Sequence, residues 1–458
     1  MAGIGFELRR VIGKGGLSRT LGAAIAGIFV VAGPWILTIL SIFLIGRAFE
    51  GSRFAFGAQF QGAVIYAYAL SLALFSVLHF LFTRIVADLV WEGRYAEAST
   101  WMLRFVLAAA LLSAVFAGVA MALVPVDLAP GPGLYRVSCV LLFIAVNVMW
   151  IVMLFASLLK RYFAIIVIFA AGMGAAVPLV IGLGSRFGAG GAVLGYALGH
   201  ALIAAGLMVL ALLRYPPSRT AAGLAFVTGY ARRFRSLILS GACFYLGQWV
   251  DKFWFWASRG ELVPGTPWRL YPAYDIPVYF AGLSIIPGLV WFVIYSETEI
   301  SASIRHFLHS LGHETLGRIR EAKMKVAVDL RRELRDQSLF QLAFSLAIAF
   351  VIINARLGDD RTLLLAIAGA FFQFTFMTLV NFLYYFELHD EALKGAGLFL
   401  LLNGLVFPPL LFAFPQVPPG AGYLVAAAAG GAFCLAAIRR ALPDLDRLIF
   451  LKSLLREK

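Results

Sequence analysis

Residues 395–438 form a run of 44 positions without a single Asp, Glu, Lys or Arg. A helix needs about 20 mostly apolar residues to cross the hydrocarbon core of a bilayer. The run is therefore too long for one crossing, and the Pro- and Gly-rich stretch from Phe414 to Gly422 divides it into two. Similar apolar segments lie at Thr20–Gly46, Phe54–Thr83, Phe105–Val126, Val137–Leu159, Tyr162–Ser185 and Phe187–Leu213. Others follow at Ser236–Ser258, interrupted by Asp251 and Lys252, and at Ile276–Ser296, Gln337–Ala355 and Thr362–Phe386. The predicted fold class is an all-α polytopic membrane protein with twelve transmembrane helices. Only 14% of the residues are charged and 62% are hydrophobic, against about 25% charged in a typical soluble domain. That balance excludes a water-soluble enzyme and a disordered chain. Three cysteines, Cys139, Cys243 and Cys434, each in an apolar stretch, exclude a disulfide scaffold and read as small core residues.

Positive charge sets the orientation, because cytoplasmic flanks collect Lys and Arg. With a cytoplasmic N-terminus, 29 of the 38 Lys and Arg face the cytoplasm and eight face the other side, Lys252 remaining inside a span. Both termini are predicted to be cytoplasmic, and Thr20–Gly46 an uncleaved first span, since it exceeds the apolar core of a signal peptide. The net charge of +14 is then a topology signal spread over short pieces and does not point to nucleic acid. Six spans precede the basic linker Arg214–Arg235 and six follow it. The expected organisation is an N-terminal six-helix bundle (1–214), a cytoplasmic linker (215–235), a C-terminal six-helix bundle (236–438) and a cytoplasmic tail (439–458). An even number of spans per half gives the halves the same orientation, as in transporters built from parallel repeats.

One cytoplasmic segment is substantial, 297–336. Ile304, Phe307, Leu308 and Leu311 recur at helical spacing among many basic residues. It reads as an amphipathic helix on the inner membrane face. Lipid attachment and the docking of a cytoplasmic partner through Arg318, Arg320, Lys323 and Lys325 both remain open. No phosphate-binding G-x-x-x-x-G-K-[ST] and no H-E-x-x-H occurs. Gly188, Gly190, Gly191 and Gly195 sit inside a span and read as close helix packing through small residues. His306, His309 and His313 read as solvated rather than metal-binding side chains. No cofactor and no metal are expected.

Ionisable groups inside a span are costly and default to functional hypotheses. Asp251 is expected to face the interior or a wet cavity, lining a transport path or forming a structural ion pair with another helix, and Lys252 to snorkel to the outer interface. Adjacent helix positions do not face each other, so the two are not expected to form a self-contained pair. Tyr245, Trp249, Trp254 and Trp256 crowd the same helix; they fit an interfacial aromatic belt or a surface on which sugar rings stack. Glu297 and Glu299 end the eighth span and read as cargo-receiving groups or as a solvated helix end. His200 lies mid-span, a hydrogen-bonded core histidine or a transport-path group. Pro34 and Pro287 are hinge candidates because proline frees backbone groups that neighbours must satisfy.

The N-terminal string Met-Ala-Gly-Ile-Gly-Phe-Glu-Leu-Arg-Arg, Gly33-Pro34-Trp35, Val250-Asp251-Lys252-Phe253-Trp254-Phe255-Trp256, and the stretch from Ile286-Pro287-Gly288 to Glu299 resemble the PelG family of inner-membrane exopolysaccharide transporters. The resemblance covers essentially the whole chain. It implies membership of the multidrug/oligosaccharidyl-lipid/polysaccharide (MOP) exporter superfamily, whose fold has two six-helix bundles around a central cavity. It also implies a complex with PelD, PelE and the cytosolic glycosyltransferase PelF, and a cargo rich in N-acetylgalactosamine. It assigns no path-lining residues. The expected function is export of nascent polymer without covalent chemistry. A cation-coupled small-molecule exporter of the same fold is the alternative. A membrane glycosyltransferase is disfavoured, because the outer loops are short and hold few acids.

Overall fold

The computed structural model describes residue 33 and residues 36–48, 56–128, 131–158, 161–218, 223–354 and 360–448. Nearly all of them are helical. The described chain divides into two compact units: an N-terminal one of residues 32–249 and 255–271, and a C-terminal one of residues 250–254 and 272–458. Among the described residues, nine helices are long and apolar enough to cross a membrane.

The N-terminal unit contains α1 (Ile36–Ala48), α2 (Gly57–Trp91), α3 (Tyr95–Leu123), α4 (Pro132–Leu158), α5 (Tyr162–Arg214), α6 (Leu224–Arg233) and most of α7 (Arg235–Arg259). Helix α3 shows why these are lipid-facing elements. One side buries Trp101, Met102, Phe105, Ala109 and Met121, while the other exposes Leu107, Leu111, Val115, Val119 and Leu123. A helix apolar on both faces is stable only where its outer face also meets an apolar solvent.

The predicted fifth and sixth spans are the two arms of α5. They meet at Gly188, whose φ of 64° and ψ of −149° suit glycine and strain other residues. The arms fold back on each other. A Cβ on Gly191 would lie 2.1 Å from the Leu183 carbonyl oxygen, and one on Gly195 would lie 2.6 Å from the Leu179 carbonyl carbon. Gly191 and Gly195 therefore serve backbone approach, as their place within a span implied, whereas Gly188 makes the turn between the arms. A two-stranded hairpin, Glu261–Leu262 with Arg269–Leu270, packs on this unit. Its Trp268 indole donates to the Tyr135 hydroxyl at 2.7 Å, and Tyr135 donates to the Gln59 carbonyl at 2.8 Å. The basic linker is not extended: it carries α6, whose Phe226 ring stacks on Trp101 at 5.6 Å.

The C-terminal unit contains residues 250–254 of α7 followed by α8 (Pro272–Ser284), α9 (Ile286–Trp291), α10 (Ser301–His313), α11 (Leu316–Asn354), α12 (Asp360–Tyr385), α13 (His389–Leu401), α14 (Phe407–Ala413) and α15 (Gly420–Ala441). Wider π-helical turns join α9 to α10 (Phe292–Ile300) and α13 to α14 (Leu402–Val406). Pro287 falls in the first turn of α9, just after the chain breaks between Ser284 and Ile286. A proline there removes no helical hydrogen bond. Pro34 and most of the predicted first span lie outside the described residues.

The segment 297–336 is not a separate surface helix. Its first part continues α9 through the π turns into α10, and its second part is the start of α11. The two run antiparallel about the turn at Glu314–Thr315. Ser303 donates to Asp329 at 2.5 Å, the Trp291 indole to Glu333 at 2.8 Å and Gln341 to the Ser284 carbonyl at 2.9 Å. Each contact joins residues about equally far from the turn. Ile304 and Phe307 on the first arm and Ala322 and Val326 on the second are buried. Of the apolar stripe that suggested a membrane surface, Ile304 and Phe307 are buried, Leu311 is half-buried and Leu308 is exposed.

Candidate functional site

Asp251 and Lys252 lie on the stretch of α7 that belongs to the C-terminal unit, and only 3% and 5% of their surfaces are exposed. The lysine does not snorkel. Its Nζ lies 3.0 Å from Asp251 Oδ1 and 3.3 Å from Oδ2, so the two adjacent residues do close on each other. Adjacent Cβ atoms diverge on a helix, but the four-carbon lysine stem is long enough to curl back. Helices α8 and α15 supply the reason. The Tyr274 hydroxyl donates to Asp251 Oδ2 at 2.5 Å. The ammonium sits 4.8 Å from the Tyr423 ring centroid and 5.7 Å from that of Tyr274, within cation–π range. The Tyr423 hydroxyl in turn donates to Gln373 Oε1 on α12. Gly369 leaves room for the Tyr423 ring: a Cβ there would lie 2.4 Å from it. Two charges are thus held out of water by an opposite charge, a phenol donor and two aromatic faces, the partners that burial of an ion demands.

A second polar feature runs along α11. Glu333, Gln337, Gln341 and Ser345 recur every four residues and all are buried. Gln337 Nε2 donates to Thr378 Oγ1 at 2.7 Å, and Gln341 Nε2 donates to Ser345 Oγ at 3.0 Å as well as to Ser284. The amide oxygens of Gln337 and Gln341 have no donor among the described residues. Gly288 makes room for this stripe, since a Cβ there would lie 2.2 Å from Gln341 Oε1. Reading the sequence for charges alone passes over the stripe; its four-residue repeat was the available signal.

The other candidates disperse. Trp254 belongs to the C-terminal unit, is part-exposed and lies 6.3 Å from the Phe412 ring. In the N-terminal unit, Trp256 is buried and stacked on Tyr66 at 4.6 Å, Trp249 lies 6.4 Å from Trp256, and Tyr245 lies 6.1 Å from Phe80. Tyr66 also lies 4.7 Å from Trp268, so Trp249 and Trp256 join one aromatic cluster in this unit. His200 is fully buried. Its Nδ1 lies 2.9 Å from the Tyr196 carbonyl, which can only accept, and its Nε2 lies 2.5 Å from the Tyr68 hydroxyl. Nδ1 therefore carries a proton, and in the neutral ring Nε2 accepts from Tyr68. Glu299 pairs with Arg332 at 2.9 Å across the α10–α11 arms, and Glu297 shares the same π stretch. Of the basic docking candidates, Arg318, Arg320 and Lys325 are exposed. Lys323 instead turns to the Pro443 carbonyl at 2.6 Å and to Asp446 at 2.9 Å. His309 and His313 stack at 4.4 Å, and no three metal-ligating side chains converge among the described residues.

Residues 1–450 match the family PelG, "Putative exopolysaccharide Exporter (EPS-E)". The chain belongs to the PelG family. Its fold is that of the multidrug transporters called MATE. A MATE transporter of Vibrio cholerae, VcmN, in a mutant form, superposes with a TM-score of 0.61 at 13% identity, over 95% of this chain and 98% of that one. A eukaryotic MATE transporter gives 0.56 at 16% identity, over 93% and 97%. An outward-facing MATE transporter of the MOP superfamily gives 0.58 at 12% identity, over 92% and 96%. No curated protein matches the sequence. The chain is therefore a multi-pass membrane exporter of the exopolysaccharide exporter family, and its nearly charge-free helices are membrane elements.

Proposed function

We propose that this protein carries a nascent, N-acetylgalactosamine-rich exopolysaccharide of the Pel type across the inner membrane and performs no covalent chemistry. In this reading the chain crosses the membrane twelve times in two six-helix bundles around a central cavity, with both termini in the cytoplasm. The two arms of α5, the whole of α7 and the α1 region supply the crossings beyond a count of nine. Polymer is received from the cytosolic glycosyltransferase PelF, held by PelD and PelE, with the exposed Arg318, Arg320 and Lys325 as the docking face. The observation that carries the reading is the match to the exopolysaccharide exporter family over residues 1–450.

Asp251 and Lys252 serve the passage rather than a soluble coupling cation, because the carboxylate already has a resident counter-ion at 3.0 Å. Trp254, Glu297, Glu299 and the amide stripe of Gln337 and Gln341 are further path candidates, suited to a neutral sugar chain that needs many weak polar and aromatic contacts. Pro287, at the break between α8 and α9, is the hinge candidate. Deleting the gene while the synthase remains active is the test. Extracellular polymer is expected to disappear; secretion at the normal level would refute the assignment.

A further inference from the structure

The C-terminal unit carries a groove of about 460 Å³ formed by α11, α12 and α15. Its floor is apolar, made by Leu330, Leu334, Leu379, Leu435 and Ile438, and its rim is basic, made by Arg331, Arg335 and Arg439. The lining on α11 extends from Ala327 to Ser338, about 16 Å at 1.5 Å per residue. Two independent borders meet at this rim. On α11 the charge-rich half ends at Arg335–Asp336, and beyond it the helix exposes Leu339, Leu342, Leu346 and Phe350. On α15 the charge-free run ends at Ile438, and Arg439 and Arg440 follow. Where two spanning helices change from apolar to basic side by side, the headgroup layer of the membrane lies. Arg335 is paired with Asp336 at 2.8 Å, whereas Arg331 and Arg439 have no carboxylate partner among the described residues.

We infer that this groove is a binding site for one anionic phospholipid. The phosphate sits between Arg331 and Arg439, and an acyl chain lies along Leu334, Leu379, Leu435 and Ile438. Charge complementarity selects the headgroup, since guanidinium forks match phosphate and basic pockets between spanning helices bind anionic lipids. The groove's continuity with the lipid-facing side of α11 selects a lipid over a soluble anion. An occupant held there ties α15 to α11.

The test uses the full-length protein purified in detergent, with Tm and retained lipid measured after adding vesicles of phosphatidylglycerol, vesicles of phosphatidylcholine, or inorganic phosphate. Phosphatidylglycerol is expected to raise Tm and to copurify, and neither of the other additions is expected to do so. In the Arg331→Gln/Arg439→Gln protein, phosphatidylglycerol affinity is expected to fall roughly thirty-fold, at about 1 kcal/mol for each basic residue. Leu435→Trp, which fills the groove and keeps the arginines, is expected to abolish lipid retention as well. Equal effects of phosphatidylcholine or of inorganic phosphate, or undiminished retention by both variants, would overturn the inference.

Discussion

Both units bury neutral polar groups among their helices, and they differ in that the buried ion pair lies in the C-terminal one. In the N-terminal unit the buried group is neutral. His200 donates to a carbonyl and accepts from Tyr68, so its two ring nitrogens are satisfied without any charge. The C-terminal unit, besides the neutral amides of α11, buries an ion pair: Asp251 and Lys252 hold each other, and tyrosines on two other helices close around them. A neutral network costs little to bury and behaves as part of the core. A buried ion pair is seldom the most stable solution, because well-packed apolar residues of similar volume often do as well or better. As a proposed part of the passage, the pair is therefore expected to matter more to export than to stability.

This contrast can be broken experimentally, beginning with the largest effect. Lys252→Met leaves the Asp251 carboxylate buried without its counter-charge and is expected to cost about 3–5 kcal/mol, read as loss of folded protein in a detergent thermal melt. Adding Asp251→Leu to it is expected to restore most of that stability. If the single variant melts like the wild type, the pair is not closed as described. Tyr274→Phe removes one hydrogen bond to a charged acceptor and is expected to cost about 1.5–3 kcal/mol, with export falling alongside. Tyr68→Phe leaves His200 Nε2 without its donor, and a loss of about 1–2 kcal/mol is expected. Export per folded molecule should then stay unchanged, and a selective loss of export would move the neutral cluster into the passage.

The spans were legible because lipid demands about 20 apolar residues whatever the packing, and α2, α3, α4 and α12 fall on the predicted segments. The two arms of α5 were legible as two apolar segments on either side of Arg186, but the turn at Gly188 was not, because that glycine read as a packing position inside a span. The partners of Asp251 were not. Tyr274, Tyr423 and Gln373 are distant in sequence and follow no local pattern, so only the fold brings them to the charge pair. Lys252 was misread because a long side chain near a helix end usually finds water, and nothing local announces the aromatic cover that denies it. The pairing of the two arms around Glu314 was not legible for a related reason. A helix with one apolar stripe fits a membrane surface and a partner helix equally well, and the partner here lies on the following helix.

The most direct measurement is the amount of extracellular polymer per folded exporter in cells carrying the Asp251→Leu/Lys252→Met double variant, with the protein's abundance and melting temperature measured alongside. The expected result is an exporter of near-normal stability that releases almost no polymer. Normal release from an equally abundant double variant would contradict the account and reduce the ion pair to a structural feature.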